Sequence, residues 1–136
     1  MATFDHEKLD VYNAAIVFVA LADDVIEHLP RGRGYLADQL QRAATSIALN
    51  VAEGAGEFSK KDKARFYRMA LRSGTECAAL LDVCRKLKLV DEKAASHGRD
   101  LLLRIVSMLT RMSRNLGEKP GTGTGTGTGT GEPDDT

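Results

Sequence analysis

Tryptophan is absent from this 136-residue sequence, and Phe and Tyr together number seven. Only Phe66 and Tyr67 lie near a basic stretch, so stacking on nucleic-acid bases is not indicated. Histidine is confined to His6, His28 and His97, far apart and expected at helix ends. No H-E-x-x-H, E-x-x-H or C-x-x-C occurs, so neither a metal site of the di-iron carboxylate kind nor any other cofactor is expected. The two cysteines, Cys77 and Cys84, lie seven apart on one predicted helix, about 10.5 Å along its axis. They cannot pair without breaking that helix, and the reading is two reduced, buried thiols. The longest apolar run, Ala14 to Ala22, has nine residues, about half a membrane span. The opening Met-Ala-Thr-Phe-Asp-His-Glu lacks the basic segment of a secretory leader, so the expected location is cytoplasmic, with no membrane partner.

Net charge is also missing, with 19 bases against 19 acids, but the balance hides an asymmetry. Gly121 to Gly131 alternates Gly and Thr and runs into Glu132-Pro133-Asp134-Asp135-Thr136. Such a segment has no apolar surface to offset the entropy of ordering, so 117–136 is expected to be a disordered tail. Residues 1–116 suit a single domain and carry 18 bases against 15 acids, a net of +3. Within it, 1–57 is acidic, whereas 60–88 holds nine bases against Asp62, Glu76 and Asp82. A basic half and an acidic half fit either an anionic partner or self-association through complementary surfaces.

What is present is helical periodicity. A first helix is expected from about Asp5 to His28, closed by Pro30, with two apolar stripes. One is Val11, Ala15, Phe18, Ala22, Val25 and Leu29; the other is Leu9, Tyr12, Ile16, Val19 and Ile26. Two stripes imply burial on two sides, inside a bundle or between subunits. A second helix is expected from about Tyr35 to Glu53, with Leu36, Leu40, Ala44, Ile47 and Val51 inward. Gly54 or Gly56 would end it in the left-handed conformation. Ser59-Lys60-Lys61-Asp62 has the form of a capping box that starts a third helix, running to about Leu87. Its seam is Phe66, Ala70, Ser73, Cys77, Leu80, Cys84 and Leu87, and Gly74 suggests a close helix crossing. A fourth helix is expected from about Asp91 to Leu116, with Leu101, Ile105, Met108 and Met112 inward and Gly98 loosening its first turns. No stretch shows the strand period, and the expected fold is all-α, an antiparallel up-down-up-down four-helix bundle.

Chemistry is harder to find. Gly54-x-Gly56 follows a helix rather than a strand, which is the wrong context for a phosphate loop, and no catalytic residues are assigned. The expectation is a protein that is not an enzyme, and no polar core cluster suggests a small-molecule site. Asn50 and Glu53, three apart, read as a polar clasp at the elbow between the second and third helices, or as a partner contact. Lys61, Arg65, Arg68 and Arg72 step by four, three and four, so they share one face of the third helix. Arg104, Arg111 and Arg114 form a shorter row on the fourth. Arginine forks suit phosphate oxygens, so the rows are candidates for an RNA or DNA backbone. The alternative pairs them with acids of neighbouring subunits, for which Asp23, Asp24 and Glu27 are available.

Ser46-Ile47-Ala48-Leu49-Asn50-Val51-Ala52-Glu53-Gly54 resembles the S-I-x-x-N-[IV]-A-E-G signature of the bacterial four-helix bundle proteins, also called 23S rRNA intervening-sequence proteins. Supporting segments are Phe4 to Tyr12, Phe66 to Ala70 and Ser73 to Cys77, and the resemblance covers about 4–116. Arg72 rather than Gly precedes Ser73, and Glu57 stands where an Arg often follows the elbow, which moves positive charge onto Lys60 to Arg72. The resemblance implies an up-down-up-down bundle assembling as a ring-like homopentamer. It also implies a relative, the accessory variability determinant protein of diversity-generating retroelements, which is a basic pentamer that binds nucleic acid and a reverse transcriptase. Ser46, Asn50, Glu53 and Gly54 are the elbow residues it marks. The partners it suggests are further copies of the chain, RNA or DNA, and another protein.

Overall fold

A computed structural model describes residues 2–117. The expected tail lies outside the described residues apart from Gly117. A 3-10 turn, Asp5–Lys8, leads into α1 (Asp10–Glu27), α2 (Gly34–Gly56), α3 (Lys60–Lys86) and α4 (Glu92–Asn115). No strand occurs among the described residues. The first helix therefore starts later than its apolar pattern suggests. Glu7 reaches back to accept a hydrogen bond from the Phe4 amide at 2.6 Å, closing the short turn, and Leu9 is extended before α1 begins.

Each helix packs on its chain neighbours, and α4 returns to α1. Pairings along the interfaces give the directions. On α2 and α3, Gly54 meets Tyr67 while the earlier Ser46 meets the later Ser73. On α3 and α4, Gly74 meets Val106 while the later Leu81 meets the earlier Gly98. Both pairs are antiparallel, as short connections between helices require.

The core is made by Val11, Phe18, Leu40, Ile47, Val51, Cys77, Cys84, Ile105 and Leu109, all almost fully buried. The α2 stripe lies inward throughout. On α1 only the first stripe does so. Leu9, Tyr12, Val19 and Ile26 are half-buried, and Ile16 is 44% exposed, so this chain alone leaves the second stripe partly uncovered. On α3, Tyr67 is buried and Phe66 only half-buried, while Leu87 falls beyond the helix and is exposed. Ala64, Gly74 and Leu81 join the seam because α3 packs on both α2 and α4, which needs a wider apolar stripe than a two-helix seam. On α4, Leu102 and Leu109 are buried where Met108 and Met112 are half-buried.

The glycines act by size more than by backbone freedom. Neither Gly54 nor Gly56 is left-handed; α2 continues through both and leaves by an extended Glu57. Gly54 is buried, and a Cβ there would lie 2.6 Å from Tyr67 Cε1 and 3.1 Å from Phe66 Cβ. Gly98 does not loosen α4 but seats it: a Cβ would lie 2.8 Å from Leu81 Cδ1 and 3.2 Å from Leu21 Cδ2. At Gly74 the same atom would sit an ordinary 3.4 Å from Val106, so the tight crossings are at Gly54 and Gly98. The left-handed residue that ends α3 is Lys88, whose neighbour Leu89 donates to the Cys84 carbonyl at 2.8 Å.

The two elbow glycines should therefore respond oppositely to alanine. Gly54→Ala, with the buried Tyr67 ring unable to swing away, should destabilise the fold by about 1–3 kcal/mol. Gly56→Ala, exposed, helical and with nothing within 4 Å of the new methyl, should stabilise it by up to about 1 kcal/mol. Urea unfolding of the two variants measures both signs.

Candidate nucleic-acid interface

The elbow between α2 and α3 positions the basic residues. Ser59 starts α3 by accepting from the Asp62 amide at 3.1 Å. Lys63, one turn in, turns back and donates through Nζ to the Gly54 carbonyl at 3.2 Å and the Ala55 carbonyl at 2.9 Å. Both carbonyls lie in the last turn of α2, where that of Gly54 also accepts from the Glu57 amide, and a cation there favours the helix dipole. Nothing in the spacing of Lys63 separates it from the neighbouring lysines, so only the turn of the chain reveals its task.

Two turns away lies the polar clasp, with a different membership from the expected Asn50–Glu53 pair. Asn50 Nδ2 donates to both the carbonyl and the Oγ of Ser46 at 2.9 Å, and Ser73 Oγ donates across the interface to Ser46 Oγ at 2.9 Å. Ser46, Asn50 and Ser73 are all half-buried, whereas Glu53 is exposed. The motif position that meets α3 most closely is Gly54.

Lys61, Arg65, Arg68 and Arg72 are all exposed, on the side of α3 away from the core. Arg104, Arg111 and Arg114 are likewise exposed on α4. The pairings Gly74–Val106 and Leu81–Gly98 set the register between the rows. Counted at about 1.5 Å per residue in opposite directions, Arg72 comes level with Met108, Arg68 with Met112 and Arg65 with Asn115. Arg111 and Arg114 thus lie at the axial level of Arg68 and Arg65, toward the end of the bundle that carries the α2–α3 elbow, although Arg104 and Arg111 are turned about 160° and about 140° around α4 from Val106, the residue that faces α3. Arg104 lies further away, level with the acidic Glu76. Between Arg104 and Arg111 the surface dips into an open depression of about 400 Å³, lined also by Leu103, Ser107 and Met108.

Local contacts hold part of this surface. The Arg65 guanidinium sits 4.7 Å from the centre of the Phe66 ring and 3.8 Å from Asp62, both at the surface. Phe58, in the elbow itself, is fully exposed at 101% and touches none of the core. The sequence pattern gave no sign of it, because a single aromatic in a connection has no period.

Among the described residues, no group of three His, Cys, Asp or Glu is placed to hold a metal ion, and no helix is long and apolar enough to cross a membrane. Cys77 and Cys84 are buried and unpaired with each other. Burial, with Glu76 alongside, pushes the Cys77 thiol up to about 12, and burial raises Cys84 as well. Both stay protonated near neutral pH, and a thiol is a poor nucleophile. A thiol reagent at about pH 8 should leave the native protein unmodified and titrate both cysteines in denaturant.

The clasp makes a second prediction. Ser46 accepts from two donors, so Ser46→Ala leaves both Asn50 and Ser73 without that partner, whereas Ser73→Ala removes one donor. Ser46→Ala should cost about 1–3 kcal/mol in urea unfolding and Ser73→Ala about 1 kcal/mol or less.

A solved structure from the S23 ribosomal protein family of Bacteroides thetaiotaomicron VPI-5482, of unknown function, superposes with a TM-score of 0.72. It is 17% identical, and the match covers 76% of this chain and 98% of that one. At that identity the likeness speaks for the fold. A comparison with curated proteins returns no match. Residues 7–111 match the family model described as 23S rRNA-intervening sequence protein, which spans all four helices up to the last turn of α4. The chain belongs to the 23S rRNA-intervening sequence protein family.

Proposed function

We propose that the protein is a non-enzymatic, cytoplasmic, self-associating bundle that holds RNA or DNA by its phosphates, through the exposed basic residues of α3 and α4. The observation that supports this is the register: two exposed rows of basic residues, on two different helices, reach the same level toward one end of the molecule. Lys61, Arg65, Arg68 and Arg72 extend over eleven residues, about 16 Å, comparable to about five nucleotides of one duplex strand. Arg111 and Arg114 add exposed positive charge at the same level on α4, and Arg104 adds more further along that helix. Self-association is supported by the second stripe of α1, where Ile16 and its neighbour Val17, 53% exposed, remain outside the core. The assembly proposed is a ring of five chains, as the family resemblance suggests.

A second reading keeps the oligomer and removes the nucleic acid. Asp23, Asp24 and Glu27 are exposed at the end of α1 and could pair with the arginines of a neighbouring copy, leaving a structural or protein-interaction module. Ionic strength separates the two. Phosphate contacts release counterions, so contact with about six phosphates should lower affinity about a thousandfold between roughly 50 and 200 mM salt.

The test titrates a ribosomal-RNA fragment and a tRNA into wild type and into Arg65→Ala/Arg68→Ala/Arg72→Ala, with mass followed by light scattering. Wild type should bind at low salt with the mass of five chains. The variant should keep that mass, bind far more weakly and show a salt slope shallower by about 3. Absence of binding by wild type, with loss of mass only in the variant, would establish the subunit-pairing reading instead.

A further inference from the structure

Phe58 is the most exposed large apolar side chain among the described residues. It occupies the position before the Ser59 cap, where a hydrophobic residue often packs against the first turns of the helix. Here the residue it would meet, one turn into α3, is Lys63, and that side chain is turned away to the α2 carbonyls. The ring is left standing free. Exposure of a single Phe is common, but this one is held by a rigid frame rather than a long loop. The connection consists of residues 57–59 alone, closed on one side by the Glu57 amide donating to Gly54 at 3.2 Å and on the other by the Ser59 cap.

Its surroundings are cationic. From Phe58 to Arg72 the chain carries Lys60, Lys61, Lys63, Arg65, Arg68 and Arg72 against Asp62 alone. Glu57 precedes the ring, but the first turns of α3 present Lys61 and Arg65 outward, and α4 brings Arg114 to the same end. A ring beside a row of guanidinium groups suits a ligand that alternates flat apolar faces with negative charges. A nucleic-acid strand with unpaired bases is such a ligand: phosphates track the cations while a base stacks on the aromatic ring. In a duplex the base faces are already stacked on one another, so Phe58 would add nothing to its binding.

Resting on the phosphate-binding reading above, we infer that the ligand is single-stranded nucleic acid and that Phe58 is the platform on which one unpaired base stacks. The basic rows then determine affinity for any strand, and Phe58 determines the preference for unpaired over paired strands. Proteins that use ring stacking tolerate all four bases, because each has a π-face, so the preference is for strandedness rather than sequence.

The absence of tryptophan provides a direct probe, since Phe58→Trp places the only indole of the chain at this position. Short single-stranded RNA and DNA oligonucleotides, and duplexes of the same sequences, are titrated into wild type, Phe58→Ala, Phe58→Trp and the triple arginine variant. Wild type should prefer the single strand. Phe58→Ala should weaken single-strand binding about 5- to 100-fold, with duplex affinity, salt slope and oligomer mass unchanged. Indole emission of Phe58→Trp should be quenched by single strands and little affected by duplexes. The RNA and DNA arms decide whether the sugar matters.

If Phe58→Ala binds single strands as wild type does while the arginine variant fails, the stacking inference is wrong and the phosphate-binding reading stands. If wild type binds no nucleic acid at low salt, both fall together. If Phe58→Ala instead lowers the oligomer mass, Phe58 is a contact between copies, and the inference is overturned on that ground.

Discussion

The close approach of α2 and α3 at Gly54 and Tyr67 is the constraint on which the other features rest. With no side chain on α2 at that point, the buried ring of α3 lies against the backbone. This brings the end of one helix near enough to the start of the next for Lys63 to reach the last carbonyls of α2. About 12 Å along α2, the Ser46–Asn50–Ser73 clasp fixes the same pair of helices a second time. Two separated fastenings determine axial register as well as contact, which one would not. Hydrogen bonds between half-buried groups are individually modest, but an unmade one is costly, so a slipped register is penalised at both places.

The register propagates. With α3 held on α2, its opposite flank receives α4 at Gly98, where Leu81 and Leu21 close over a residue with no Cβ. The outward faces of α3 and α4 then have no freedom to slide, and the arginines on them are held at fixed levels relative to one another. The basic surface is thus a consequence of packing on the opposite, apolar faces. The same arrangement leaves the second stripe of α1 partly uncovered, because among the described residues α1 packs on α2, α4 and the short turn before it.

The S-I-x-x-N-[IV]-A-E-G segment can be understood in these terms. Ile47 and Val51 fill the core, Ser46 and Asn50 form the clasp, and Gly54 admits Tyr67. Most of this motif specifies how one helix sits on another. Glu53, exposed beside the elbow, lies outside that packing, and the exposed basic residues lie outside the motif, on α3 and α4. The family relationship therefore explains the scaffold better than it explains the ligand.

Four helices, their approximate limits and their inward faces were legible in the sequence, because burial on one side imposes a period that local reading detects. The stripe of α2 and the Ser59 cap are cases in which local chemistry and final position agree. The second helix does end at Gly56, but without a left-handed residue, and Gly54 serves instead to admit Tyr67: a glycine that ends a helix and one that admits a neighbouring ring look alike until the neighbour is in place. For the same reason Tyr67 could not be preferred to Phe66 for burial, nor Ser73 assigned to the clasp, since each depends on an atom from another helix. The spacing of the arginines along each helix was determined by the sequence. The level at which the two rows stand relative to each other was decided only by tertiary structure, because register between helices is set by the fit of distant side chains.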